Sequence, residues 1–124
     1  MNLSRIMVVD DSNTSRMIIK RCFQMAGESD IEFVEAEDGL DALTLLETEK
    51  VDLVVSDIKM PKMDGTTFIK KIRSHDSIKD LPVLVISSLG NEALEEELSA
   101  FKIEGILKKP LSPQKVSEFL EKMK

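Results

Sequence analysis

The sequence predicts an α/β fold: a doubly wound, five-stranded parallel sheet of flavodoxin-like type, strand order 2-1-3-4-5, with five helices. Three observations predict it. Short apolar runs alternate strictly with amphipathic segments, which implies a parallel sheet covered by helices on both faces. The runs at 6–9, 51–55 and 83–86 are the most apolar, as strands buried on both faces are, so they take the centre. The runs near 31–36 and 105–108 are weaker and take the edges, which matches the order 2-1-3-4-5.

The elements follow in order. Ile6 to Val9 forms the first strand, closed by Asp10-Asp11. Ser12, Asn13 or Thr14 caps the first helix. There Ile18, Cys22, Met25 and Ile19, Phe23, Ala26 recur at helical spacing until Gly27 stops it. Residues 31–36 alternate as a half-exposed strand does, and Asp38-Gly39 reads as a turn. Ala42, Leu43, Leu45 and Leu46 give an amphipathic helix ending near Glu49-Lys50. Val51 to Val55 leads to Asp57, and Pro61 and Gly65 break the backbone before a short helix, Thr66 to Arg73, with Phe68, Ile69 and Ile72 inward. Pro82 opens the fourth strand, where a missing N–H is tolerated, and Ser87-Ser88 ends it. Asn91 to Phe101 reads as a helix with Leu94, Leu98 and Phe101 inward and Glu92, Glu95, Glu96 and Glu97 outside. Gly105 to Leu107 is a short strand ending in Lys108-Lys109-Pro110. Ser112-Pro113 starts the last helix, with Val116, Phe119, Leu120 and Met123 toward the core.

Composition bounds the function. The 124 residues fit one domain, 1–124, with no linker, repeat or further domain expected. The net charge of -6 argues against nucleic acid and anionic lipid as partners. Cys22 is the sole cysteine, so no internal disulfide forms and a reducing compartment is expected. No apolar stretch approaches membrane-span length and the N-terminus lacks a signal-peptide layout, so the expected location is cytoplasmic.

Polar residues then line up at the strand ends. Asp10-Asp11, Asp57, Ser87 and Lys108-Lys109 all follow apolar runs, so all face the carboxyl rim, where open α/β sheets bind ligands. Any one of them alone could do no more than cap a loop. Three converging carboxylates repel unless a cation joins them. The expected ligands are all oxygens, which selects a hard ion, Mg²⁺ or Mn²⁺. A lysine and a hydroxyl nearby suit phosphoryl oxygens. An aspartate, a divalent cation, a hydroxyl and a lysine together form a site for phosphoryl transfer to a carboxylate, that of Asp57. Of the two lysines only one can point inward, because adjacent strand residues face opposite sides.

Val8-Val9-Asp10-Asp11-Ser12, the stretch from Asp57 to Gly65, Ser87-Ser88 and Lys109-Pro110 together resemble the receiver domain of bacterial two-component response regulators, over essentially the whole chain. The resemblance implies that Asp57 accepts phosphate from a sensor histidine kinase. It implies that Asp11, Asp57 and the backbone carbonyl of Lys59 bind the metal directly, with Asp10 acting through metal-bound water. Ser87 and Lys109 would contact the phosphoryl group, and the bond before Pro110 would be cis. Among stand-alone receivers the chain looks most like the chemotaxis (CheY) type, which implies a flagellar motor switch or other effector, and a phosphatase, as further partners. The alternative is a phosphorelay intermediate or phosphate sink.

Several positions depart from the family pattern or bear on its details. Ile106 stands where family members often carry a switching aromatic. The acidic run 92–97 favours a basic partner if that face is an interface. Lys59 and Leu89 flank the path of hydrolytic water in this family, which implies a long-lived phosphoryl state. His75 lies in a polar loop and reads as surface, Cys22 as core, and Met60 and Met63 as loop. A haloacid-dehalogenase-type phosphatase would want an aspartate two positions after the nucleophile, where Lys59 stands. A flavin carrier would want aromatic stacking residues, and the chain has neither Tyr nor Trp. The chain is therefore expected to be no enzyme beyond catalysing its own phosphorylation and dephosphorylation.

Overall fold

The computed structural model describes residues 3–27, 30–88 and 92–123. Five strands, β1 (Arg5–Val9), β2 (Glu32–Ala36), β3 (Leu53–Ser56), β4 (Val83–Ser87) and β5 (Gly105–Lys108), form one parallel sheet in the order β2-β1-β3-β4-β5. Five helices alternate with them: α1 (Asn13–Met25), α2 (Gly39–Leu46), α3 (Gly65–Ser74), α4 (Glu92–Ser99) and α5 (Pro113–Lys122). No helix among the described residues is long and apolar enough to cross a membrane.

The unbroken apolar strands are explained by two cores, one on each face. In β1, Ile6 and Val8 point toward α1 and α5, beside Ile19, Phe23, Val116 and Phe119. Met7 and Val9 point the other way, toward Phe68, Ile69, Ile72 and Leu98. With a period of two and helices on both sides, every residue of the central strands is buried except Arg5 at the start of β1. The edge strands β2 and β5 are only partly covered, as expected from their weaker patterns.

Side chains set where helices begin. Ser12 Oγ accepts the Ser15 N–H at 3.2 Å, Asp38 Oδ1 that of Asp41 at 2.8 Å, Asp64 Oδ1 that of Thr67 at 2.9 Å and Ser112 Oγ that of Lys115 at 3.2 Å. Each such cap contributes about 1 kcal/mol. Asp38-Gly39, expected to be a turn, is therefore the start of α2, which ends at Leu46 rather than near 49–50. The third strand begins at Leu53, later than expected, because the Asp52 carboxylate turns back to accept the N–H groups of Ser4 and Arg5 at 2.8 and 2.9 Å.

Two inward faces also differ. In α1, Ile18 and Met25 are 45% and 72% exposed, and the buried face runs through Arg16, Ile19, Cys22 and Phe23. Helical spacing gives two adjoining stripes, and the buried face takes Cys22 from one and Ile19 and Phe23 from the other. In α4, Leu94 and Leu98 are buried as expected, but Phe101 lies in a turn beyond the helix. The expectations for Leu89 and Asn91 lie outside the described residues.

Arg73 shows what apolar periodicity cannot. Its Nε donates to the Phe101 carbonyl at 2.7 Å, and its Nη1 to those of Lys79 and Leu81 at 3.0 and 2.6 Å. It ties the end of α3 to both chain segments flanking β4 and α4. Truncation leaves part-buried carbonyls unpaired. Arg73→Ala is expected to lower stability by about 3 kcal/mol, measured by urea unfolding with circular dichroism. A loss under about 0.5 kcal/mol, typical of a plain surface site, would contradict the staple.

Candidate functional site

The register of the sheet assembles the site. Val9 pairs with Ser56 across β1 and β3, so Asp10 and Asp57 leave neighbouring strands side by side. Ser87 pairs with Lys108 across β4 and β5, so Lys109 follows at the same rim. The Asp57 N–H donates to the Val9 carbonyl at 2.9 Å and the Lys109 N–H to that of Ser87 at 2.9 Å, extending the ladders one residue past the strands.

Carboxylate oxygens of Asp10, Asp11 and Asp57 lie within 4.8 Å of one another. Asp10 and Asp57 are buried and Asp11 is exposed. Lys109 Nζ reaches Asp10 Oδ2 at 2.9 Å and Asp57 Oδ2 at 3.2 Å. Lys108 is exposed, so the inward lysine is Lys109, and the Lys109–Pro110 peptide is cis. Ser87 is buried at the end of β4. The Lys59 side chain is exposed on the loop after Asp57. Ile106 is half-buried and packs with the core on the α3–α4 side. His75 is exposed and Cys22 buried, both as expected.

Electrostatics at this rim are unbalanced. Burial, joined by the charge of Asp10, raises the Asp57 carboxyl above its ordinary pKa, against the Ile58 N–H on Oδ1 at 2.8 Å and the nearby Lys109. Burial works against the Lys109 charge, but Asp10 and Asp57 outweigh it, so its pKa is raised and it stays protonated. Three carboxylates carry more negative charge than Lys109 balances. Their donor set is all oxygen. These residues therefore fit a hard divalent cation.

Asp10 is held from several sides. Its Oδ1 accepts the Ser12 N–H at 3.0 Å, and its Oδ2 accepts the Ser15 hydroxyl at 2.6 Å as well as Lys109. Sequence reasoning assigned Ser15 and Arg16 no place here. A polar residue one turn past a helix cap, on the face that returns toward the strand end, is the signal that marks Ser15.

The loop from Asp57 to α3 is closed tightly. Gly65 N–H donates to the Ile58 carbonyl at 2.8 Å, and Lys62 takes the left-handed backbone at φ 65°. A Cβ at Gly65 would lie 2.2 Å from the Asp57 carbonyl oxygen and 2.8 Å from Ile58 Cα. Only glycine permits that approach.

Comparison with known proteins places this geometry. Residues 6–121 match the family model described as the response regulator receiver domain. A protein of Campylobacter jejuni subsp. jejuni named as a chemotaxis protein CheY homolog is 36% identical over 120 residues, covering 94% of this chain and 89% of that protein. The sensor histidine kinase CheAY of Helicobacter pylori is 39% identical over 85 residues, 67% of this chain and 10% of that protein. The solved structure of chemotaxis response regulator CheY4 of Vibrio cholerae superposes with a TM-score of 0.85 at 27% identity, covering 99% of this chain and 100% of that one.

Proposed function

The chain belongs to the response regulator receiver family, and from that premise we propose that a histidine kinase phosphorylates Asp57 and that the modified chain then binds an effector, in chemotaxis signalling. The observation that carries this reading is the convergence of the Asp10, Asp11 and Asp57 oxygens beneath Lys109. Asp11, Asp57 and the Lys59 carbonyl would hold Mg²⁺ or Mn²⁺, with Asp10 acting through a metal-bound water. Such an ion supplies neutralisation of the phosphoryl oxygens.

A carboxylate oxygen of Asp57 attacks the phosphorus of a phosphohistidine. The new O–P bond forms as the P–N bond breaks, and the electron pair returns to the imidazole nitrogen. Lys109 gives up its two-carboxylate bridge to meet the arriving phosphoryl oxygens, and Ser87 donates its hydroxyl to another. Added charge at Asp57 thus favours the arrangement that draws β4 and β5 ends together. The chain turns over no external substrate and works in the cytoplasm beside its kinase, its effector and a phosphatase.

The switch is tested by amide NMR spectra with and without Mg²⁺ and beryllofluoride. Shifts reaching α4, β5 and α5 are the expected result, despite Ile106 at the position of the usual aromatic. Shifts confined to the rim would sink the effector reading. They would favour the alternative, a relay intermediate or phosphate sink, which draws on the stretch that resembles a segment of a sensor histidine kinase.

Lys59 is exposed, two residues past Asp57. Lys59→Ala is expected to shorten the phosphoryl lifetime severalfold in a chase with unlabelled donor, and an unchanged lifetime would rule out its shielding role.

A further inference from the structure

A guanidinium lies under the acidic rim. Arg16, on the first turns of α1, is 6% exposed. Arginine is rarely buried so fully unless its donors are committed. Here they are. Nη1 donates to the backbone carbonyl of Asp10, Nη2 to Asn13 Oδ1, and Nε to Glu35 Oε1 at 3.0 Å. Glu35, on β2, is itself fixed by Lys20 Nζ on Oε2 at 3.0 Å. The fork therefore joins β2, α1 and the end of β1.

The Asp10 carbonyl belongs to the peptide that joins Asp10 to Asp11. Asp10 itself is still in the ladder with β2 through its N–H, in the preceding peptide, which donates to the Ala36 carbonyl at 3.1 Å. Its carbonyl has passed the end of β1, and Arg16 holds it. We propose that Arg16 is a positioning residue for the rim: it clamps the peptide between Asp10 and Asp11, so that their carboxylates keep the spacing a divalent cation requires. The inference rests on the reading of the rim as a metal site.

The sign of the effect separates a clamp from a charge. A cation near a metal site opposes metal binding by simple repulsion, so removing it should tighten binding. Loss of a clamp loosens binding instead. Residues that hold metal ligands in place typically change affinity by about ten- to a hundredfold when lost. Lysine keeps the charge but, as a single point, cannot reach three acceptors in three directions.

The test titrates Mn²⁺ into the full chain, reading free ion by electron paramagnetic resonance, with stability followed in parallel by circular dichroism in EDTA. Arg16→Gln and Arg16→Lys are each expected to weaken Mn²⁺ binding about tenfold. Glu35→Gln, which removes the anchor at Nε and leaves the other two bonds, is expected to weaken it less. Unchanged Mn²⁺ affinity with lowered stability would show a structural role only and overturn the inference. Tighter binding by Arg16→Gln would show repulsion alone and also overturn it. If Arg16→Gln fails to fold, Arg16→Lys and Glu35→Gln decide. Failure of the unaltered chain to bind Mn²⁺ would overturn the metal-site reading together with the inference. Binding by that chain with equal binding by the variants would overturn the inference alone.

Discussion

Asp57→Asn is expected to reduce phosphoryl incorporation to the level of a donor-free control and, in EDTA, to make the chain more stable at neutral pH. The first effect follows from chemistry, because an amide is no nucleophile toward phosphorus at this rim. The second follows from burial. The Asp57 carboxyl is raised by desolvation and by Asp10, beyond what Ile58 and Lys109 offset. A carboxyl raised in the folded chain is protonated more readily there than in the unfolded chain. Its contribution is most favourable below the unfolded pKa and is lost as pH rises through the folded one. Above that point the ionised group opposes folding. The amide carries no charge, so the stability gain should appear at neutral pH and shrink on acidification. Urea midpoints in EDTA at acid and neutral pH check this. A gain that grew toward acid pH would contradict the assigned cause.

Gly65→Ala is expected to be the most damaging small substitution in the loop. At the first residue of a helix, alanine would ordinarily help by up to about 1 kcal/mol. Here the added Cβ falls 2.2 Å from the Asp57 carbonyl oxygen and 2.8 Å from Ile58 Cα, and both are backbone. Neither can swing away as a side chain could. Overpacking of this kind costs about 3 kcal/mol, a drop in Tm on the order of 10 °C for a chain this size. The clash is with the backbone of Asp57, whose carboxylate is one of the three at the rim, so Mn²⁺ affinity should fall too. Gly105→Ala is the control. Its Cβ would sit 3.8 Å from Leu84 Cδ1, an ordinary contact, and it is expected to leave stability within about 1 kcal/mol of the parent. Equal, small effects at both positions would contradict the close approach at Gly65. Because the chain has neither Tyr nor Trp, circular dichroism rather than intrinsic fluorescence follows these transitions.

Much of this fold is legible in the sequence because burial on two faces leaves a strong mark. Ile6 to Val9 and Val83 to Ile86 have nowhere to place a polar side chain, and the carboxylates appear where the strands end. The sheet order then places Asp10 beside Asp57 and Lys109 above both. The helix faces are less legible. Ile18 and Met25 share a stripe with Cys22, yet only Cys22 meets the core. Arg16 and Arg73 escaped periodicity for a shared reason. Their apolar stems take them inward while their guanidinium groups satisfy backbone carbonyls, and a pattern of apolar residues records neither. Asp38 caps a helix where a turn is expected, and Asp52 ties the entry of β3 from inside the expected run 51–55, because a carboxylate carries no mark in the sequence of which backbone N–H it meets.

A phosphohistidine donor is expected to pass its phosphoryl group to Asp57 at this rim. The direct measurement is to incubate the chain with a phosphohistidine donor and Mg²⁺, trap the acyl phosphate by borohydride reduction to homoserine, and locate the modified residue by mass spectrometry. Reduction at position 57 alone, lost when EDTA replaces Mg²⁺, is the predicted result. Reduction at Asp10 or Asp11, or at no residue while the donor is consumed, would contradict the account.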